Sequence, residues 1–186
     1  MASPIRTNLA ETDLWDAFRK GDEDAFGQIV HRYYKNLFNY GIRFSKDREF
    51  VKDCLQDLFM ELWHKRETLG DTGFIKFYLF KSLRRKIHKE SLKHQWLSTG
   101  DDLNFDTDDL GELPIETLII EDETYHMQIR QLTHHLTSLS KRQQEIIYLK
   151  FYENLENDSI AQVMSITRPA VANLLYRTLQ ELKGKF

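Results

Sequence analysis

Asn157-Asp-Ser-Ile-Ala-Gln-Val-Met-Ser-Ile-Thr-Arg-Pro-Ala-Val-Ala-Asn-Leu-Leu-Tyr-Arg177 sets two helix starts ten residues apart, and this stretch decides the fold. Asn157-Asp158 predicts the cap of a short helix holding Ile160, Ala161, Val163 and Met164. Ser165-Ile166 makes a tight turn. Thr167 then caps a longer helix, with Pro169 in the first turn, where its missing N–H costs little. Val171, Leu175, Leu179 and Leu182 recur at steps of four, four and three, which predicts a buried stripe. Arg168, Asn173, Tyr176, Arg177 and Gln180 are left for the opposite face. Upstream, Ser140-Lys-Arg-Gln143 has the spacing of a capping box before an apolar run of Ile146, Ile147, Leu149 and Phe151. A short helix, a tight turn and a second helix exposing Arg, Asn and Tyr suit the DNA major groove; the plainer alternative is a helical hairpin with a solvated face.

The rest of the chain agrees with an all-α reading. Its 186 residues can hold two small domains, each with a modest core, and a hydrophobic share of 41% excludes a disordered chain. Glycine and proline are scarce, and strand-like alternation is nowhere sustained. A single cysteine, Cys54, cannot form an internal disulfide, which points to a reducing cytoplasm. Residues 1–10 lack the apolar core of a signal peptide, and no stretch reaches the length of a membrane span, so no membrane insertion is expected.

A net charge of −3 conceals blocks of opposite sign. Residues 76–97 carry seven cations against one acid, and residues 98–123 carry ten acids with no Lys or Arg. Without that acidic segment the chain is +7, so the overall sign says nothing against a nucleic-acid partner. The acidic segment also marks the boundary between domains 1–97 and 124–186. Its glycines, proline and like charges predict an extended linker. Leu103, Phe105, Leu110 and Leu113 leave open that it docks in a basic channel of a partner. Its end is expected to wind into a helix over residues 124–136.

Domain 1–97 reads as four helices, over residues 13–20, 22–43, 47–67 and 74–97. On the third, Asp53, Gln56, Asp57 and Met60 fall away from the apolar stripe of Val51, Cys54, Leu55, Leu58 and Leu62. They form either an acidic docking face for a protein or a solvated flank. On the fourth, Lys76, Phe77, Tyr78, Phe80, Lys81, Arg84, Arg85 and Lys86 interleave cations with aromatics. Cations neutralise phosphates and aromatic faces receive unstacked bases, which favours a single-stranded nucleic acid. The competing reading places Phe77, Leu79, Phe80 and Leu83 in the core and leaves the lysines to solubility.

Taken together these motifs resemble a known family over nearly the whole chain. Gly21-Asp-Glu-Asp-Ala-Phe26, Tyr33-Tyr34, Asp53-Cys-Leu-Gln-Asp-Leu-Phe-Met-Glu-Leu-Trp63 and Tyr78-Leu-Phe-Lys-Ser-Leu-Arg84 are similar to conserved region 2 of the extracytoplasmic-function (ECF) sigma factors. Leu139 to Gln143, Ser159-Ile-Ala161 and the stretch from Val171 to Leu182 are similar to their region 4. The Tyr-Leu-Phe-Lys-Ser-Leu wording resembles the branch common in Bacteroidetes-type bacteria. The chain departs from the family pattern at Arg85, where Asn is usual, at Ser159 for Glu and at Ser165 for Gly. Ala170-Val-Ala-Asn-Leu174 stands for Thr-Val-Lys-Ser-Arg and so lacks two cations.

The resemblance implies a region 2 helical bundle and a region 4 helix-turn-helix joined by the acidic linker, and a bacterial transcription initiation factor. Its partners would be core RNA polymerase and promoter DNA, with an anti-sigma factor as a further candidate. Asp53, Gln56, Asp57 and Met60 would meet the clamp helices of the largest polymerase subunit. Loop 69–73, with Phe74, Lys76, Phe77, Tyr78, Lys81, Arg84, Arg85, Lys86 and Lys89, would take the melted −10 element. Thr167, Arg168, Pro169, Ala170, Asn173, Tyr176 and Arg177 would read the −35 element as duplex, and the linker would thread polymerase channels.

Two other classes compete. An enzyme is disfavoured: no catalytic residues, cofactor or metal site are expected. His134 and His135 are adjacent and diverge on a helix, the other histidines lack metal-ligand spacing, and no phosphate-cradling glycine loop appears. A two-domain helix-turn-helix regulator acting without polymerase is the alternative, against which the basic-aromatic fourth helix speaks.

Overall fold

A computed structural model describes residues 11–72, 74–97 and 131–185. Among these the chain is helical with no strand, in two compact units, as the sequence predicts.

The first unit is built from α1 (Glu11–Arg19), α2 (Glu23–Gly41), α3 (Arg48–His64) and α4 (Ile75–Leu97), with a 3₁₀ turn at Arg66–Thr68. Each helix starts or stops within three residues of its expected end for an identifiable reason. Gly21 takes φ +90° and breaks α1 from α2, and the Asp22 carboxylate then accepts from the Ala25 N–H at 2.9 Å. Asp47 caps α3, accepting from the N–H groups of Glu49 and Phe50. Gly41 closes α2 where α3 presses in: an added Cβ would stand 2.6 Å from Cγ1 of Val51.

Apolar residues at helical spacing fill the interior. Ile29, Tyr33, Leu37 and Tyr40 of α2 face Val51, Cys54, Leu55, Leu58 and Leu62 of α3 and Ile75, Leu79, Phe80, Leu83 and Ile87 of α4, all buried. Aromatic rings knit α1 to this core: Trp15 on Phe18 at 5.1 Å, Phe18 on Phe26 at 5.8 Å, and Phe26 on Trp63 at 5.0 Å. Tyr33 is buried, and its hydroxyl donates to Glu11 at 2.6 Å; burial and that carboxylate both push its pKa up. Cys54 is a core thiol pushed by burial to about 11, hence unreactive at neutral pH.

The second unit holds α5 (helical over residues 131–137), α6 (Lys141–Ile147), a π-helical turn at Tyr148–Tyr152, α7 (Asn157–Val163) and α8 (Arg168–Lys183). Gln143 closes the expected box before α6, its Oε1 accepting from the Ser140 N–H at 2.9 Å and from its Oγ–H at 2.8 Å. Thr167 caps α8 as predicted, accepting from the Ala170 N–H.

Three expectations are corrected here. The residue before α7 is Glu156, with Asn157 already in the first turn and no side-chain cap. Phe151 is 62% exposed rather than core, because it lies in the π-helical turn, where the wider helix breaks the α-helical spacing from Ile146. Leu179 is 44% exposed and Thr178 takes its place inside. Two steps of four rotate a side chain roughly 80° away from Val171, whereas seven residues bring it back within about 20°. The Thr178 hydroxyl is satisfied by the Leu174 carbonyl at 2.7 Å. The acidic linker and the start of the helix expected at 124 lie outside the described residues.

Candidate polymerase and nucleic-acid interfaces

On α3 the core stripe turns Asp53, Gln56, Asp57 and Met60 outward, and all four are exposed. Met60 is 51% exposed, unusual for a large apolar side chain. Beside it an apolar cleft of about 570 Å³ opens between α2 and α3, lined by Phe26, Val30, Tyr34, Phe59 and Trp63. Gln56 and Met60 also line this cleft, and an exposed α3 face that combines carboxylates with an apolar cleft is suited to a protein partner that offers both cations and apolar side chains.

The opposite flank of α3 meets α4. Here Lys86 departs from its expected role. Its ammonium lies 2.6 Å from the Glu61 carboxylate and 3.5 Å from Asp57, and its side chain is only 10% exposed. Burial works against its charge, yet the bond to Glu61 and the charges of Glu61 and Asp57 outweigh it and raise its pKa. In return the hydrogen bond from Lys86 holds Glu61 below its usual range. Lys86 thus ties the acidic face of α3 to the basic helix. Arg85 and Lys89, both exposed, line a cleft of about 230 Å³ with Lys65, Tyr78 and Ser82.

The aromatics of α4 divide by depth. Phe80 is fully buried against Tyr40 at 4.9 Å and cannot receive a base. Phe77 and Tyr78 are half-buried, with Lys81 over the Phe77 ring at 5.5 Å. Phe74 is 71% exposed at the mouth of α4, directly after loop 69–72. Lys76, Lys81 and Arg84 are half-buried along the same helix, so the cationic stripe remains with Lys86 withdrawn from it. Sequence spacing alone gave no sign that Lys86 faces α3.

In the second unit, α7 and α8 form the helix-turn-helix. Ser165 adopts φ +55°, the left-handed conformation where the family pattern has glycine. A Cβ there costs on the order of 1 kcal/mol, so Ser165→Gly should raise stability by about that amount in a urea melt. On α8 the side chains of Thr167, Arg168, Pro169, Asn173, Tyr176 and Arg177 are exposed, and Ala170 is half-buried. Asn173, Tyr176, Arg177 and Gln180 fall within roughly 100° of arc, a single outward face. Tyr176 is 65% exposed. Arg168 pairs with Asp158 of α7, Nε to Oδ1 at 3.3 Å, but both side chains are about two-thirds exposed or more. An ion pair so open to water contributes little, about 0–1 kcal/mol, and yields readily to another anion.

Comparison with known proteins accounts for both units. Residues 29–97 match sigma-70 region 2 and residues 129–182 match sigma-70 region 4. The chain belongs to the sigma-70 family, and its relatives include an extracytoplasmic-function sigma factor. It is 22% identical over 161 residues to the ECF RNA polymerase sigma factor SigM of Bacillus subtilis, covering 86% of this chain and 93% of that one. It is 22% identical over 174 residues to the RNA polymerase sigma factor CnrH of Cupriavidus metallidurans, covering 88% and 87%. In structure it is similar to CnrH in complex with the cytosolic domain of CnrY, with a TM-score of 0.58, 18% identity and coverage of 95% and 96%. The sigma factor RpoE in complex with the anti-sigma factor NepR from Bartonella quintana gives a TM-score of 0.58 at 17% identity, covering 86% and 95%. Among the described residues no helix is long and apolar enough to cross a membrane, and no cluster of metal-ligating side chains occurs.

Proposed function

We propose that this protein binds core RNA polymerase and directs it to promoters, taking the melted −10 element on α4 and reading the −35 element as duplex with α8. The observation that carries this reading is the pairing of two surfaces in one region 2 bundle. An exposed acidic face on α3 stands next to a cationic, partly aromatic α4, and the same chain presents a helix-turn-helix. A duplex-binding regulator has use for the helix-turn-helix and none for a basic-aromatic α4 beside an acidic face. Asp53, Gln56, Asp57 and Met60 contact the clamp helices, and Phe74, Lys76, Phe77, Tyr78, Lys81, Arg84, Arg85 and Lys89 contact the non-template strand. The domains run 1–97 and 124–186 with residues 98–123 as a linker through the polymerase, and the place of action is the cytoplasm, where the polymerase works. The Tyr78 to Leu83 wording supports a place in the Bacteroidetes-like branch, and the neighbour solved with the anti-sigma factor NepR supports an anti-sigma factor here too.

The deciding experiment adds the pure protein to core polymerase on promoter templates that core alone ignores. Specific start sites are expected; template binding without any start would favour a regulator that acts without polymerase.

At the −35 element the assignment of Arg168 has its own test. Arg168→Ala should cost roughly 1–3 kcal/mol of binding and relax preference at one position in a randomised −35 pool. Asp158→Ala, which removes only its ion-pair partner, should leave the selected sequence unchanged. If Arg168→Ala selects the same sequence as wild type, Arg168 serves only to tie α8 to α7.

A further inference from the structure

We propose that α1 is a positioning element for promoter melting: Trp15 and Arg19 latch loop 69–72 in the shape that selects the −10 base. This rests on the function proposed above and adds to it a helix outside both matched regions.

Loop 69–72 follows the 3₁₀ turn, two residues before the exposed ring of Phe74. Its two ends are fixed locally. On one side Arg66 donates to the Trp63 carbonyl at 2.9 Å and Thr68 to the Lys65 carbonyl at 2.8 Å. On the other, the Thr72 hydroxyl accepts from the Phe74 N–H at 3.0 Å. The middle is Gly70, which has no side chain, and no atom stands within 4 Å of where its Cβ would be. Side-chain packing therefore does not hold this point of the loop.

α1 supplies the missing hold twice. Trp15 is 1% exposed, so its indole N–H needs an acceptor, and it finds the Gly70 carbonyl at 3.0 Å, 55 residues along the chain. The ring cannot turn aside, being set against Phe18 at 5.1 Å and edge-on to Tyr78 at 5.5 Å. One turn further along α1, Arg19 forms an ion pair with Asp71. Tyr78 in turn lines the α3–α4 cleft with Arg85 and Lys89, so the same tryptophan bonds to the loop and packs on a residue that lines the basic cleft. A loop fixed before DNA arrives spares the ordering cost on binding and presents one shape to the base.

The test uses full-length protein assembled with core polymerase, a fluorescent non-template strand randomised at each −10 position, and a −35 duplex as internal control. Trp15→Phe keeps an aromatic ring beside Phe18 and Tyr78 and removes the N–H; Arg19→Asp and Asp71→Arg each break the ion pair; the double exchange restores it with reversed sign. Each single change should reduce discrimination at one or two −10 positions by roughly fivefold, the scale of one net hydrogen bond, with core affinity and −35 preference unchanged. Arg19→Asp with Asp71→Arg should recover discrimination, whereas a merely structural role for α1 would move core affinity and −35 preference together with it in the single variants. Wild-type discrimination in all single variants, or no recovery in the exchanged pair, overturns the latch alone. Absence of any −10 preference in the wild type overturns both the latch and the function on which it rests.

Discussion

Asp53→Arg with Asp57→Arg is expected to abolish co-purification with core polymerase, at a loss of at least about a hundredfold in affinity. Reversing two charges sets like against like across an interface, a penalty of several kcal/mol, and a hundredfold is only about 2.7 kcal/mol. The two positions differ in what else they hold. Asp53 is exposed, and Asp53→Arg alone should leave the urea midpoint nearly unchanged, within about 0.5 kcal/mol. Asp57 lies 3.5 Å from the Lys86 ammonium, so Asp57→Arg confronts a mostly covered cation with a second one and should lower stability. Asp53→Arg with Asp57→Asn separates these effects, losing polymerase with little of the stability penalty. Normal binding of core by the double Arg variant would place the polymerase interface on another face.

Periodicity was a sound guide wherever one helix face decides burial. The stripe of α3, its start at Asp47 and the Thr167 cap were predictable from residues close in sequence, because each depends on local geometry. Errors arose where a small angular drift accumulates, as at Leu179 and Thr178, or where the helix widens into the π turn after Ile147. The exposure of the candidate α3 and α8 faces was readable in outline for the same reason: polar residues left over from a core stripe must face water or a partner. What no local pattern could supply was the pairing of side chains distant in sequence. Lys86 looked like one more cation of α4, and only the α3–α4 packing shows it committed to Glu61 and Asp57. No local pattern marks Trp15 and Arg19, since their partners Gly70 and Asp71 lie more than fifty residues away. The single available hint was a tryptophan, a costly residue to bury without an acceptor, one turn and a half before the glycine that ends its helix.

The basic helix carries the second large effect. Replacing Lys81, Arg84, Arg85 and Lys89 with Ala should sharply weaken binding of the polymerase complex to single-stranded −10 DNA. Alanine keeps α4 helical, so what is lost is charge and reach rather than the element. Each phosphate contact removed should lower the log–log salt slope by roughly 0.7 on a single strand, and four contacts by nearly 3. Lys86 is predicted to behave differently from its neighbours. Lys86→Met keeps the stem against α3 and removes the ammonium from Glu61, so it should lower stability and leave the salt slope as it was. The sign of its pH dependence follows from the depressed Glu61. That contribution is present above the ordinary glutamate pKa and fades as pH falls through the lowered value. Wild type should therefore lose more stability than Lys86→Met on acidification below about pH 4.5, the two curves converging once Glu61 is protonated. A salt slope unchanged in the fourfold variant would assign these cations to solubility and move the −10 contact off α4. A slope reduced as much by Lys86→Met as by Arg85→Ala would show that DNA draws Lys86 out of its pair with Glu61.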